Sequence, residues 1–337
     1  MKGRLAWVDT ARGVAIVLVA LFHSVNWLLD AGLPIAIWDD INEVLSSIRM
    51  PLFFAVSGLF AMKWITGEWS AVLRSKVLLF AWVYAVWQVI GSVVMYAGMG
   101  LNGDRTSIPH AIRQLLESPV LPRFELWFIW ALGLFFVMAK ATRRVDVRLQ
   151  LAVALVASVV ALTIIDFPNV GWGGVLKYYV FFLAGLYGRH LLLRFGDVRS
   201  VGLQVAIVAG WLAYGTVLVA FDLRHVPGLY FLNCAWGLFA GICIGRGLSR
   251  VTLLGFLGSR TLPLYLGHTP VIVLIALLLA ASGIVDDIPV AIAMVAPVVV
   301  AALGLAAAWG LYVTVGRRVP WLYEPAPLPF LSVAPRE

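Results

Sequence analysis

Arg12, His23, Asn26 and Asp30 all stand in one apolar segment, VDTARGVAIVLVALFHSVNWLLD, residues 8–30. Each is costly to hold in hydrocarbon, and an ionisable residue inside a membrane helix points to function by default. At about 100° per residue, the step from Arg12 to His23 leaves them about 20° apart around a helix and roughly 16 Å apart along it. Asp30, seven residues further on, falls on the same stripe, and Asn26 sits about one turn beyond His23. Asp9 precedes Arg12 by three residues, within reach to hold its guanidinium or to cap the helix. A guanidinium grips anions and an imidazole moves protons near neutral pH, so the stripe can bind an anion or pass a proton. The plainer alternative is an Arg12 that snorkels to the membrane edge and a His23 bonded to a neighbouring helix.

The elements that must position these residues follow from composition. Of 337 residues, 62% are hydrophobic and only 12% charged, and the mean hydropathy is +0.96. A soluble domain carries about a quarter charged residues, whereas here apolar runs of about 20 residues recur, the length that crosses a bilayer core. The expected fold is an all-α integral membrane bundle of about ten transmembrane helices, at roughly 11–30, 47–66, 77–97, 124–140, 149–166, 175–193, 200–221, 229–246, 260–281 and 290–314. Most of the 25 Lys and Arg residues fall in alternate connectors with the N-terminal end, and acids collect in the others. This bias predicts that both termini are cytoplasmic. Residues 1–318 are expected to form one transmembrane domain, followed by a Pro-rich cytoplasmic tail, 319–337, that is extended or disordered. The connector at about 98–123 is the longest, and lies outside.

The formal charge of +8 is dispersed between apolar runs, which argues against nucleic acid as a partner and for cytoplasmic loops on a lipid bilayer. Cys234 and Cys243 share one predicted helix about 13 Å apart, too far to pair. No histidine has metal-like spacing to a partner, so no metal site is expected.

The second span reads RMPLFFAVSGLF, residues 49–60, with Arg49 at its outer start, Pro51 in its first turn and Ser57-Gly58 near its middle. An Arg and a His ten residues apart on the first helix, followed by R-x-P-L-F-F-x-x-S-G on the second, resemble the acyltransferase 3 family. ELWFIWALGLFF, residues 125–136, resembles that family's Leu-Trp-Phe helix, and SRTLPLYLGHTPVIVL, residues 259–274, its late Tyr-x-x-His helix. Where many relatives carry His before Leu-Trp-Phe, this chain has Glu125.

The resemblance implies a bacterial cytoplasmic (inner) membrane enzyme. It would move an acyl group, acetyl first among candidates, from cytoplasmic acyl-CoA to a hydroxyl of a glycan or other acceptor, with no permanently bound cofactor. A sugar hydroxyl is a poor nucleophile until a base removes its proton, and His23 suits that role; an acyl-histidine intermediate is a variant of the same scheme. Arg12, with Asp9 orienting it, would hold a phosphate or the pantetheine arm of acetyl-CoA. Asn26 or Asp30 would orient His23 or meet acceptor hydroxyls, and Ser57 would hydrogen-bond the acyl carbonyl, with helix packing as its plainer alternative. Arg49 would stabilise an oxyanion, bind an anionic acceptor or serve as an anchor. Glu125, Trp127, Tyr265 and His268 are the further candidates for substrate contact, with helix packing or a structural hydrogen bond as the alternative for Trp127 and His268. A transporter using Arg12, His23 and Asp30 as a substrate or proton path is the competing class.

Overall fold

The structure, a computed structural model, describes residues 6–101 and 107–325. Among these residues every regular element is helical. α1 (Ala6–Asp30) leads to α2 (Ile37–Leu59), two short helices α3 (Met62–Thr66) and α4 (Trp69–Val72), and α5 (Leu78–Leu101), which a π-helical turn at Leu73–Val77 joins to α4. There follow α6 (Ile108–Glu117), α7 (Trp127–Ala141), α8 (Val147–Thr163), α9 (Val170–Tyr187) and α10 (Arg189–Gly196). Then come α11 (Val201–Ala220), α12 (Leu229–Gly247), α13 (Thr252–Gly258), α14 (Thr261–Ser282) and α15 (Val290–Leu311).

Seven stretches among the described residues are long and apolar enough to cross a membrane; they contain α1, α5, α7, α11, α12, α14 and α15. The chain is therefore an all-α integral membrane protein. The other three expected spans also have helices, but α8 is short, α2 is interrupted by Asp39, Asp40 and Arg49, and α9 is diluted by glycines and Lys177. Local chemistry sets several helix starts. Asp146 accepts from the amides of Arg148 and Leu149, Asn169 from those of Gly171 and Trp172, and Ser200 from that of Leu203, each satisfying donors that a helix start leaves free.

Two expectations are corrected. Pro51 lies inside α2, not in its first turn, because the acidic stretch IWDDINEVLS already forms helix ahead of the apolar run. The start of the tail is packed rather than extended: Pro320–Leu322 makes a 3-10 turn. The indole N–H of Trp82 donates to the Trp321 carbonyl at 2.7 Å and that of Trp87 to the Leu322 carbonyl at 2.7 Å, while Tyr323 is buried against the rings of Trp87 and Tyr312. Two indole donors on an apolar helix need acceptors, and this turn supplies them. The rest of the tail, 326–337, and residues 102–106 of the long connector lie outside the described residues.

α1 is the central helix, packed on α2, α12, α13, α14 and α15. Its small buried residues Ala11, Ala15 and Ala20 let these neighbours close on it. α2 in turn crosses α9 at a pair of glycines. A Cβ on Gly58 would stand 2.1 Å from the Phe182 carbonyl oxygen, and one on Gly185 would stand 1.9 Å from that of Ala55, so only glycine permits the crossing. Beneath it, the buried Lys140 of α7 donates to the carbonyls of Ile65 and Gly67, tying the α3 segment to the bundle.

Candidate active site

The central position of α1 turns its polar stripe inward, onto two chambers. The first, about 180 Å³, is lined by Arg12 of α1, Ser57 of α2, Lys76 and the start of α14 at Thr261. The second, about 270 Å³, is lined by His23 of α1, Ser46 and Arg49 of α2, Glu125 and Trp127 before and in α7, and Tyr178 of α9. Phe53, Phe128 and Tyr265 belong to the walls of both. Their rings touch in series, with centroids 5.3 Å apart for Phe53–Phe128 and 5.4 Å for Phe128–Tyr265. The two chambers thus share an aromatic wall, with Arg12 on one side and His23 on the other.

In the histidine chamber, His23 Nδ1 lies 3.7 Å from Glu125 Oε1, and the Trp27 indole N–H, one turn along α1, donates to the same oxygen at 3.4 Å. Arg49 is buried. Its guanidinium donates to Asn42 Oδ1 at 3.2 Å and to the Asn42 carbonyl at 3.4 Å, and lies 4.3 Å from the centre of the Phe22 ring. A membrane-edge anchor would reach solvent, so this arginine is an interior cation held in place by its own helix. Trp127 stacks on Tyr178 at 6.0 Å between centroids, and Ser46 hydrogen-bonds the Tyr230 hydroxyl.

His268 stands behind His23, ring centroids 5.5 Å apart, and is fully buried. Its Nδ1 is 3.0 Å from the Leu264 carbonyl and its Nε2 3.2 Å from the Thr269 hydroxyl. A carbonyl only accepts, so Nδ1 carries the proton and Nε2 accepts from Thr269. Both nitrogens are occupied, and His268 does not line the chamber. Tyr265 combines two tasks: its ring belongs to the shared wall and its hydroxyl donates to the main-chain carbonyl of Glu125.

The arginine chamber is basic. Lys76 lines it beside Arg12, and the positive end of the α14 dipole opens at Thr261; outside the lining, the Trp64 ring has Lys63 and Lys76 at 4.6 and 5.1 Å from its centre. Ser57 donates its hydroxyl proton to the Phe53 carbonyl at 2.8 Å, so it faces this chamber as an acceptor, away from His23. Asp9 sits one turn before Arg12 on α1. Asn26 and Asp30 line neither chamber, and Asp30 is exposed at the end of α1. The stripe therefore runs from Arg12 to His23 and stops short of a continuous polar path.

Sequence reasoning passed over Lys76, which reads as one more connector cation, and Tyr178, which sits in a Gly-rich stretch without a motif. Among the described residues no group of His, Cys, Asp or Glu could hold a metal ion. The arrangement can bind a polyanion at one end and bring a base, a carboxylate and a buried cation to bear at the other.

Comparisons with known proteins bear on what this machinery serves. A family model described as an acyltransferase domain matches residues 5–313. The inner membrane protein YcfT of Escherichia coli is 24% identical over 308 residues, covering 84% of each chain. No solved structure matches.

Proposed function

Because the chain belongs to the acyltransferase 3 family, whose members transfer acyl groups, we propose that it is a membrane O-acyltransferase taking an acyl group, acetyl in the simplest case, from acyl-CoA to a hydroxyl of a glycan or related acceptor. The observation that carries this reading is the single helix α1 setting Arg12 in one chamber and His23 in the next, on either side of one aromatic wall. Roughly 16 Å of helix rise between them is about the reach of an extended pantetheine arm. In this scheme Arg12, oriented by Asp9, and Lys76 hold the phosphates of the carrier, the arm passes Phe53, Phe128 and Tyr265, and the thioester arrives beside His23.

His23 takes the proton of the acceptor hydroxyl as its oxygen attacks the thioester carbon. The C–S bond then breaks, and the imidazolium returns the proton to the departing thiolate. Arg49, buried in the same chamber, meets the developing oxyanion or an anionic group on the acceptor, where a desolvated cation is most effective. Trp127 offers a ring face to a sugar. The chain would lie in a bacterial inner membrane, as YcfT does by name. Both termini and the arginine chamber would face the cytoplasm, with residues 1–318 forming the transferase and 319–337 a cytoplasmic tail.

The test is mass spectrometry of envelope glycans from cells with and without the gene. The reading expects an acyl mass that disappears with the protein; unchanged acyl masses contradict it.

A further inference from the structure

We propose that Glu125 is the positioning residue of His23: its carboxylate holds the imidazole with the proton on Nδ1 and leaves the Nε2 lone pair to take the acceptor's proton. The inference rests on His23 acting as the base. It gives a task to the residue at which this chain departs from the family's pattern.

The first support is the geometry at the carboxylate. Oε1 faces two nitrogens from one side of α1, Trp27 Nε1 at 3.4 Å and His23 Nδ1 at 3.7 Å. An indole nitrogen only donates, so Oε1 presents a lone pair on that side, and the imidazole nitrogen that faces it is matched when it carries the proton. At 3.7 Å the histidine contact is an ion-pair distance, which a small side-chain closure on substrate binding converts to a hydrogen bond. Of the other charged or titratable groups near His23, Arg49, Tyr178 and Tyr265 line the same chamber from α2, α9 and α14, and His268 on α14 has both nitrogens engaged elsewhere. Glu125 is the carboxylate that lines the chamber.

The second support is the loop that delivers it. Five of its carbonyls are held by side-chain donors from four helices. Tyr84 of α5 donates to Ser118 O at 2.7 Å, Trp130 of α7 to Pro119 O at 2.9 Å, and Trp172 of α9 to Val120 O at 2.8 Å. Asn169, which caps α9, donates to Pro122 O at 3.2 Å, and Tyr265 of α14 to Glu125 O. Phe124, immediately before Glu125, has φ +57°, a left-handed conformation that a bulky residue avoids unless its surroundings enforce it. The loop is thus pinned on every side and strained just before Glu125. A carboxylate that served only as a surface charge would not need such a mount.

The experiment uses the full chain in native membranes, with radiolabelled acetyl-CoA as donor and the endogenous envelope as acceptor. Glu125→Gln keeps the side chain's size and removes its charge. It is expected to lower the maximal transfer rate about 10- to 100-fold, less than the loss from His23→Ala, and to leave the half-saturating acetyl-CoA concentration within about twofold, since general base catalysis contributes about 10²- to 10⁴-fold. Glu125→Asp should recover part of the rate. The double variant His23→Ala/Glu125→Gln should be no slower than His23→Ala alone, because a residue that acts through His23 has nothing left to position.

A wild-type rate in Glu125→Gln, with His23→Ala inactive, overturns this inference and spares the base reading. Losses that multiply in the double variant assign Glu125 an independent contact with substrate and also overturn it. A fully active His23→Ala contradicts the base reading and this inference together. Trp27→Phe, which leaves the Glu125 charge in place, guards against a folding artefact: it should lower the rate less than Glu125→Gln at equal membrane yield, and a larger loss counts against the proposal.

Discussion

Replacing Gly185 with Ala puts a methyl group 1.9 Å from the Ala55 carbonyl oxygen. That oxygen belongs to the backbone of α2 and cannot swing aside. An ordinary contact begins at 3.4 Å, so α2 and α9 must part by about 1.5 Å at their crossing, an overpacking that costs about 1–3 kcal/mol of stability. The same crossing sets the histidine chamber: Arg49 lies six residues before Ala55 on α2, and Tyr178 seven before Gly185 on α9, and both line the wall with His23. A shift of about 1 Å in reacting groups can lower a rate on the order of 10²-fold. The expected outcome is a melting temperature in detergent well below wild type, with transfer from labelled acetyl-CoA down on the order of 10²-fold per folded molecule. Gly202→Ala on α11 is the control: its Cβ meets nothing within 4 Å, so stability should hold or rise by up to about 1 kcal/mol, with activity unchanged. A Gly185→Ala protein that melts and works like wild type would refute the packing argument.

Three other outcomes are expected. Arg12→Ala should raise the half-saturating acetyl-CoA concentration about 10-fold or more, because a charge-assisted hydrogen bond contributes about 1.5–3 kcal/mol; a lowered maximal rate at unchanged half-saturation contradicts its donor-binding role. Lys140→Met should destabilise the chain by about 1–3 kcal/mol, because it leaves the buried Ile65 carbonyl without its donor, measured by thermal unfolding. On α6, the Arg113 guanidinium, 2.7 Å from the Glu117 carboxylate, holds that carboxyl below the ordinary carboxylate value. Its folded value is depressed, so its small contribution is present above the unfolded value and lost as pH falls through the folded one. Protection of the α6 amides relative to their intrinsic exchange rate should therefore fall below the ordinary carboxylate range, and Glu117→Gln should remove that dependence.

Periodicity made α1 readable before any fold was known. Arg12 and His23 lie eleven residues apart on one helix, and a helix's own geometry sets their relation, so nothing tertiary was needed. Asp30 obeys the same periodicity but falls where α1 ends and is exposed, because the angle around a helix says nothing of how far its neighbours extend. Pro51 was misplaced for a related reason: hydropathy marks membrane thickness, while α2 continues as helix through its acidic start. Glu125 was visible as a departure from a motif, but its partner Trp27 is 98 residues away in sequence. No local pattern encodes a contact made by a pinned loop reaching across the bundle. The tail's docking was hidden likewise, since it depends on two indole donors on α5 more than 230 residues away.

The central claim is that His23 is the base for acyl transfer from acetyl-CoA, and the most direct measurement is label transfer from radiolabelled acetyl-CoA into envelope material by native membranes. Membranes with the wild-type chain should incorporate label, and those with His23→Ala, at equal protein level, should fall on the order of 10²- to 10⁴-fold. Full incorporation by His23→Ala would contradict the account.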